Sequence, residues 1–125
     1  EIVRGIVVEA GKPLALANAE FSRGLDTIQE GATAAGDWSE RGSYNSLQTR
    51  ANGLGYRHIL TRRFPLGLLS FVTPFNFPLN LVLHKVCPAV AAGCPFVLKP
   101  SDRTPVTSLV VGEILSPLLP PGSVS

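Results

Sequence analysis

Residues 66–110, LGLLSFVTPFNFPLNLVLHKVCPAVAAGCPFVLKPSDRTPVTSLV, read as strand, helix, strand, helix. Residues 66–73 form a nearly continuous apolar run of strand length, the pattern of a parallel strand covered on both faces. Pro74 ends it. Pro78 stands where a first helical residue is favoured, and Leu79, Val82, Leu83, Val86 and Val90 make a helical stripe closed by Gly93. Pro88 lacks the N–H that would bond the carbonyl of His84, which predicts a kink or a split helix there. Residues 96–98 then make a short strand that Pro100 ends, and Thr104 with Pro105 opens another helix carrying Leu109, Val110 and Ile114. Two successive βα units imply an α/β fold with a parallel sheet.

Upstream the character changes. Residues 1–63 hold fifteen charged side chains, residues 64–100 only Lys85 and Lys99, and ten of the eleven prolines lie at or after Pro65. A boundary near 62–64 follows. Ile2, Val3, Ile6, Val7 and Ala10 keep a helical period up to Gly11 and Pro13. Leu14, Ala17, Phe21, Leu25 and Ile28 then line one face of a second helix running to about residue 35. The pair predicts a helical hairpin. Residues 37–55 are rich in Ser, Asn, Gly and Gln with little periodicity and read as a bridging loop, followed by an edge strand over 56–64.

The 125 residues suffice for one domain or a large piece of a bigger one. A hydrophobic content of 45% with 16% charged residues is that of a packed globular chain, not of a disordered one. A net charge of +2 gives no single-sign field to hold a nucleic acid or an anionic membrane, so small partners are expected. Apolar stretches are interrupted before they reach bilayer length, and the opening EIVRGIVVEA does not read as a signal peptide. Two cysteines without metal-ligand spacing, Cys87 and Cys94, fit neither a disulfide scaffold nor a zinc site and point to a reducing, cytoplasmic setting; no metal site is expected. With Glu1 opening the numbering and no Met anywhere, the chain is expected to be a piece of a longer product.

Parallel α/β sheets bind ligands beyond the carboxyl ends of their strands, so residues 73–77 and 99–104 are the segments to examine for chemistry. Asn76 lies between Phe75 and Phe77 and between two prolines, a stiff aromatic setting for an amide that donates and accepts. Such a donor can stabilise a developing oxyanion, an effect of roughly 2.7–4 kcal/mol; the alternative is a helix N-cap. Lys99 ends an apolar strand, where its ammonium can reach a hydroxyl or phosphate, or remain a solvated lysine. Ser101 and Asp102 can bond a ribose diol, the carboxylate repelling an added 2′-phosphate, or can be turn residues. Arg103 beside them pulls toward a phosphorylated cofactor. Gly53, Leu54 and Gly55 lack the third glycine and the preceding buried strand of a dinucleotide fingerprint and read as a turn. His84 reads as a structural histidine, and Cys87 and Cys94 as packed neutral thiols.

The stretch FVTPFNFPLNLVLHKVCPAVAAGCPFVLKPSDRTPVTSL, residues 71–109, resembles the start of the cofactor domain in the aldehyde dehydrogenase superfamily: the TPFNFP turn, the HKV and PAVAAG helix, the VLKPS strand end and the TP helix start stand in the family's order. Upstream, EAGKP at residues 9–13 and the following long helix resemble its N-terminal helical region. The resemblance implies an aldehyde dehydrogenase-like fold, in which residues 1–63 are the N-terminal helical part and residues 64–125 the first βαβα units of a Rossmann-like NAD(P)-binding domain. By the same resemblance Asn76 is the side-chain donor of the oxyanion hole. Thr73, Pro74 and Phe75 line the nicotinamide side of the cleft through backbone and ring contacts. Lys99, joined by Ser101 and Asp102, bonds the adenosine ribose. Asp102 stands where many NAD-preferring members carry the longer Glu, which leaves NAD or NADP open with a lean to NAD.

The family oxidises an aldehyde to a carboxylic acid through a cysteine thiolate and a water-activating glutamate, and assembles as dimers or tetramers. Neither catalytic residue has a counterpart in this sequence, so the resemblance implies an N-terminal-side fragment of such an enzyme. The alternative is a truncated, non-catalytic chain that binds nucleotide weakly or only associates with a full-length relative. The PFNFPLN wording is most similar to the branch acting on lactaldehyde, semialdehydes or glyceraldehyde 3-phosphate.

Overall fold

The structure, a computed structural model, describes residues 1–38, 42–49 and 55–125. Helix α1 (Ile2–Ala10) ends on Gly11 at φ 64°, a left-handed cap that suits a residue without a Cβ. Lys12 and Pro13 then turn the chain into α2 (Leu14–Trp38), completing the helical hairpin that the periodicity predicts. Strands β1 (Ser43–Thr49) and β2 (Gly55–Thr61) pair antiparallel as a separate two-stranded sheet. The first of these strands corrects the expectation of a loop over 37–55. The sequence of β1, SYNSLQT, carries no apolar alternation, and ladder bonds to β2 supply what side-chain pattern does not. The Gly53–Leu54 part of the turn expected there lies outside the described residues.

Strand β3 (Leu69–Val72) and β4 (Phe96–Lys99) pair parallel, with Leu69 opposite Phe96 and Val72 opposite Lys99. The strand is shorter than the apolar run because Gly67, at φ 95°, breaks it, leaving Leu66 and Leu68 exposed. Only one face of this sheet is covered among the described residues. Phe96 is buried and Leu69, Phe71 and Leu98 half-buried, whereas Val72 and Val97 are exposed, so the expectation of a strand covered on both faces is not met within these residues. Residues 123–125 run parallel along the other edge of β4: Phe96 N–H donates to Ser123 O (2.9 Å) and Leu98 N–H to Ser125 O (2.8 Å). β4 is therefore the inner strand of a small parallel sheet.

Helix α3 (Asn80–Ala91) connects β3 to β4, and α4 (Pro105–Leu115) follows β4 as Thr104–Pro105 predicts, tightening to a 3-10 turn over Ser116–Leu118 at Pro117. α3 starts two residues after Pro78 and runs unbroken through Pro88 instead of splitting. Pro88 and His84 are both exposed one turn apart, so the helix face that lacks this bond is the one turned to solvent, where the missing partner costs least. The same exposure replaces the expectation of a packed structural histidine at position 84.

One core joins elements on both sides of Arg62–Phe64, with Ile6 and Ala17 packed together with Val82, Leu83, Val86 and Val111. The face that α2 buries is rotated from the expected stripe. Ala17, Glu20 and Gly24 are buried, while Leu14, Leu25 and Ile28 are about half exposed, the last two lining an apolar groove of about 440 Å³ beside α3. Glycine sets this rotation. A Cβ on Gly31 would meet the Cys87 Cβ at 2.8 Å, and one on Gly24 would stand 3.0 Å from Leu79 and Leu83 side-chain atoms, so the two helices approach backbone to side chain.

Candidate functional site

The register of β3 and β4 decides where the two candidate segments emerge. Val72 and Lys99 are opposite one another, and the Thr73 N–H donates to the Lys99 carbonyl at 3.3 Å, so residues 73–77 and 99–104 leave neighbouring parallel strands at the same level. Thr73 is buried, Pro74, Phe75 and Asn76 are exposed, and Pro78 is buried again where α3 begins. Neither Asn76 nor Lys99 is sealed in the core.

Asn76 does not cap the helix, which closes one of the two readings open for it. The first amides of α3, Leu79 N–H (3.0 Å) and Asn80 N–H (3.2 Å), donate to the Glu20 carboxylate of α2. Glu20 is buried and also pairs with the ammonium of Lys12 from the α1–α2 connection. The start of α4 is handled in the same way. Thr104 precedes it without a side-chain cap bond, and Glu9 of α1 accepts from Val106 N–H (2.7 Å), Thr107 N–H (2.9 Å) and the Thr107 hydroxyl. Each such carboxylate satisfies donors that would otherwise be orphaned and faces the positive helix end, worth about 1 kcal/mol per cap.

The rings flanking Asn76 are each covered by a cation. The Lys12 ammonium sits 3.7 Å from the Phe77 ring centroid, and the Arg103 guanidinium carbon 4.7 Å from that of Phe75. The second contact spans the two strand-end turns. In the turn after β4 the bonds are local: Lys99 Nζ donates to Asp102 Oδ1 (2.8 Å) and to Pro100 O (3.2 Å), Arg103 N–H to Ser101 Oγ (3.3 Å), and Thr104 N–H to Ser101 O (3.1 Å). The side chains of Lys99 and Asp102 are 63% and 92% exposed. The hydrogen bond from Lys99, helped by its charge, holds the Asp102 carboxyl below the usual carboxylate range. An exposed acceptor beside an exposed donor can grip a vicinal diol, and an exposed amide donor at a strand end can meet an oxygen that gains charge.

Both cysteines are free thiols with no sign of activation: Cys94 is buried, and burial pushes the half-buried Cys87 thiol up. Among the described residues no group of His, Cys, Asp and Glu is arranged to hold a metal, and no helix is long and apolar enough to cross a membrane. Lys12, Glu9 and Glu20 are the residues that sequence reasoning passed over. The available signal was a charge at position 20 inside the buried face of α2, one turn from Ala17 and Gly24.

The sequence profile described as "Aldehyde dehydrogenase family" matches residues 1–125. The chain is 36% identical over 126 residues to the mitochondrial succinate-semialdehyde dehydrogenase of Arabidopsis thaliana, covering all of this chain and 22% of that protein. Among solved structures it is similar to aldehyde dehydrogenase 21 of Physcomitrella patens in complex with the reaction product succinate, at 44% identity and TM-score 0.91 over 99% of this chain and 26% of that one. It is also similar to a glyceraldehyde-3-phosphate dehydrogenase of Methanocaldococcus jannaschii complexed with NADP, at 30% identity and TM-score 0.84 over 99% and 26%. The chain thus spans about a quarter of the length of these relatives. With a helical hairpin against a parallel sheet, the TPFNFP and VLKPS segments at adjacent strand ends, and a match along its whole length, the chain belongs to the aldehyde dehydrogenase family.

Proposed function

We propose that these residues form about a quarter, from the N-terminal side, of an NAD(P)-dependent aldehyde dehydrogenase that oxidises an aldehyde to a carboxylic acid, and that they supply its oxyanion donor and part of its adenosine-ribose site in a Rossmann-like domain. The observation that carries this reading is the register placing Val72 opposite Lys99, from which the Asn76 and Lys99 segments leave one sheet edge together. Asn76 Nδ2 donates to the aldehyde oxygen as negative charge grows on it. Lys99 Nζ donates to, and Asp102 accepts from, the ribose hydroxyls, with Ser101 beside them and Thr73, Pro74 and Phe75 bordering the nicotinamide side. The exposed carboxylate and ammonium suit the diol of either nucleotide, which when bound supplies the hydride acceptor. Asp102 favours NAD, because it would repel a 2′-phosphate while Arg103 lies over Phe75. Small α-hydroxy aldehydes and semialdehydes are the substrate class, supported by the relatives named for succinate semialdehyde and glyceraldehyde 3-phosphate. A cytoplasmic setting is supported by the two free thiols, and self-assembly by the exposed Tyr44, Ile59 and Leu60 of the β1–β2 hairpin.

A second reading has its own support. Cys94 is buried and the Cys87 thiol is pushed up, so these residues by themselves hold no activated nucleophile and would bind nucleotide without turnover. Calorimetric titration of the purified chain with NAD and with NADP, run beside an aldehyde oxidation assay, tests both. Binding of NAD over NADP is expected, weakened about tenfold by Lys99→Met, the size of one charged hydrogen bond. Binding of neither nucleotide leaves only the association role, and turnover by the 125 residues alone would overturn the placement of the nucleophile outside them.

A further inference from the structure

We propose that Lys12 and Arg103 are positioning residues that fix the direction of the Asn76 amide by clamping the two rings beside it; the inference rests on the reading of Asn76 as the oxyanion donor. Asn76 is exposed and lies outside α3, so neither burial nor helix geometry fixes its backbone. What holds it comes from both neighbours in sequence. On one side the Lys12 ammonium lies over Phe77, and the same ammonium is anchored by Glu20, whose other oxygen binds the Leu79 and Asn80 N–H groups. Phe77 is held at its backbone as well, since its carbonyl accepts from Leu81 N–H at 3.1 Å. On the other side the Arg103 guanidinium lies over Phe75, which ties the turn after β3 to the turn after β4. A cation over a ring face restrains that ring without needing a fixed hydrogen-bond geometry.

Three separate parts of the chain therefore converge on the residues either side of Asn76: the α1–α2 connection through Lys12 on Phe77, α2 through Glu20 on the Leu79 and Asn80 amides, and the β4–α4 turn through Arg103 on Phe75. The arrangement gives the Gly11-Lys12-Pro13 connection a task. Gly11 in its left-handed conformation and Pro13 with its fixed φ deliver Lys12, whose side chain is only 17% exposed, onto Phe77. It also engages Arg103 with a ring on the aldehyde side of the site, away from the role of phosphate ligand that its place beside Asp102 implies. An oxyanion donor acts only if it is aimed before charge develops, and pre-set aim is what two ring clamps provide.

The test is solution NMR on the isotope-labelled chain, without nucleotide or aldehyde, following the Asn76 side-chain amide signals and the hydrogen exchange of the Leu81 amide. The Leu98 amide, bonded to Ser125, serves as the internal reference. Wild type is compared with Phe77→Leu, Arg103→Gln, their combination, Lys12→Met and Lys12→Arg. Phe77→Leu and Arg103→Gln leave the buried Glu20 pair intact, so they do not put the fold at risk. The Asn76 amide signals are expected to move toward their unstructured positions in Phe77→Leu, Arg103→Gln and Lys12→Met, and furthest in the combination of the first two. Leu81 exchange rises about fivefold in Phe77→Leu, the loss of one ordinary cation–π contact, and further in Lys12→Met, which also leaves the buried Glu20 carboxylate without its ammonium. Lys12→Arg, which keeps a cation over the ring, restores both readouts, whereas Met, similar in bulk, does not. Unchanged Asn76 signals in the combined variant would overturn the proposal, as would Leu98 exchange rising in step with Leu81. The oxyanion reading fails on a different measurement, turnover of the enzyme with Asn76→Ala, so the two failures are separable.

Discussion

The two turns that leave the sheet at Val72 and Lys99 are built on opposite plans. The turn after β3 holds Asn76 through groups distant in sequence: Glu20 on the following amides, Lys12 on Phe77 and Arg103 on Phe75. The turn after β4 holds itself, with Lys99, Ser101, Asp102, Arg103 and Thr104 bonded to one another within six residues. The contrast matches the demands of the proposed chemistry. A donor to a transient charge gains only if its aim is fixed, whereas a donor and acceptor that grip a sugar diol can adjust in water. The first turn is therefore the tertiary product and the second the local one.

Three substitutions and one change of condition sharpen that comparison, in falling order of effect. Asn76→Ala in the enzyme carrying these residues should lower kcat by about 10²–10³ with KM little changed, as for loss of one oxyanion donor. Steady-state kinetics checks it, and a rise in KM with kcat unchanged would move Asn76 to simple substrate binding. Glu20→Ala removes the acceptor for two α3 amides and leaves Lys12 without its partner, a cost of about 3 kcal/mol. Denaturant melts of this variant should show a lower midpoint at unchanged slope, with the turn after β3 losing hydrogen-exchange protection first. The same substitution made in the second turn, Asp102→Ala, should leave the midpoint almost unmoved, because the Lys99–Asp102 pair is exposed.

The smallest effect concerns pH. Because Lys99 lowers the Asp102 pKa in the folded chain, the pair's contribution is fully present above the ordinary carboxylate value of 3.8 and is lost as pH falls through the depressed folded value. Nucleotide affinity that depends on ionised Asp102 should therefore be flat from about pH 5 to pH 8 and decline only in the acid range. Calorimetry at several pH values reads this directly, and a decline already near pH 6 would assign the ribose contact to another group.

Much of the second half was legible because its elements carry their own punctuation. Pro74, Gly93, Pro100 and the Thr104–Pro105 pair bracket strand and helix patterns of ordinary length, and β4 and α4 start where those signals put them. Three features were not legible. Strand β1 has no apolar alternation to read, since its pairing with β2 is a backbone matter. The buried face of α2 was displaced because Gly24 and Gly31 contribute no hydrophobicity to a periodicity count, yet their missing Cβ atoms let α3 approach. Local sequence offers only neighbouring residues as caps, Asn76 as one of two readings for α3 and Thr104 for α4, whereas Glu20 and Glu9 reach them from about sixty and a hundred residues away.

Sequence alone fixes the order of strand and helix in residues 69–115, the family resemblance, and the identity of the polar side chains at the two strand ends, because these depend on local pattern and on which residues are present. Only the folded chain decides that those ends lie at one level, that Asn76 is free of the helix cap, and that cations from remote turns cover both of its flanking rings. Strand register and long-range contacts are set by how glycine-bearing helices and buried carboxylates pack across the core, and no window of neighbouring residues carries that information.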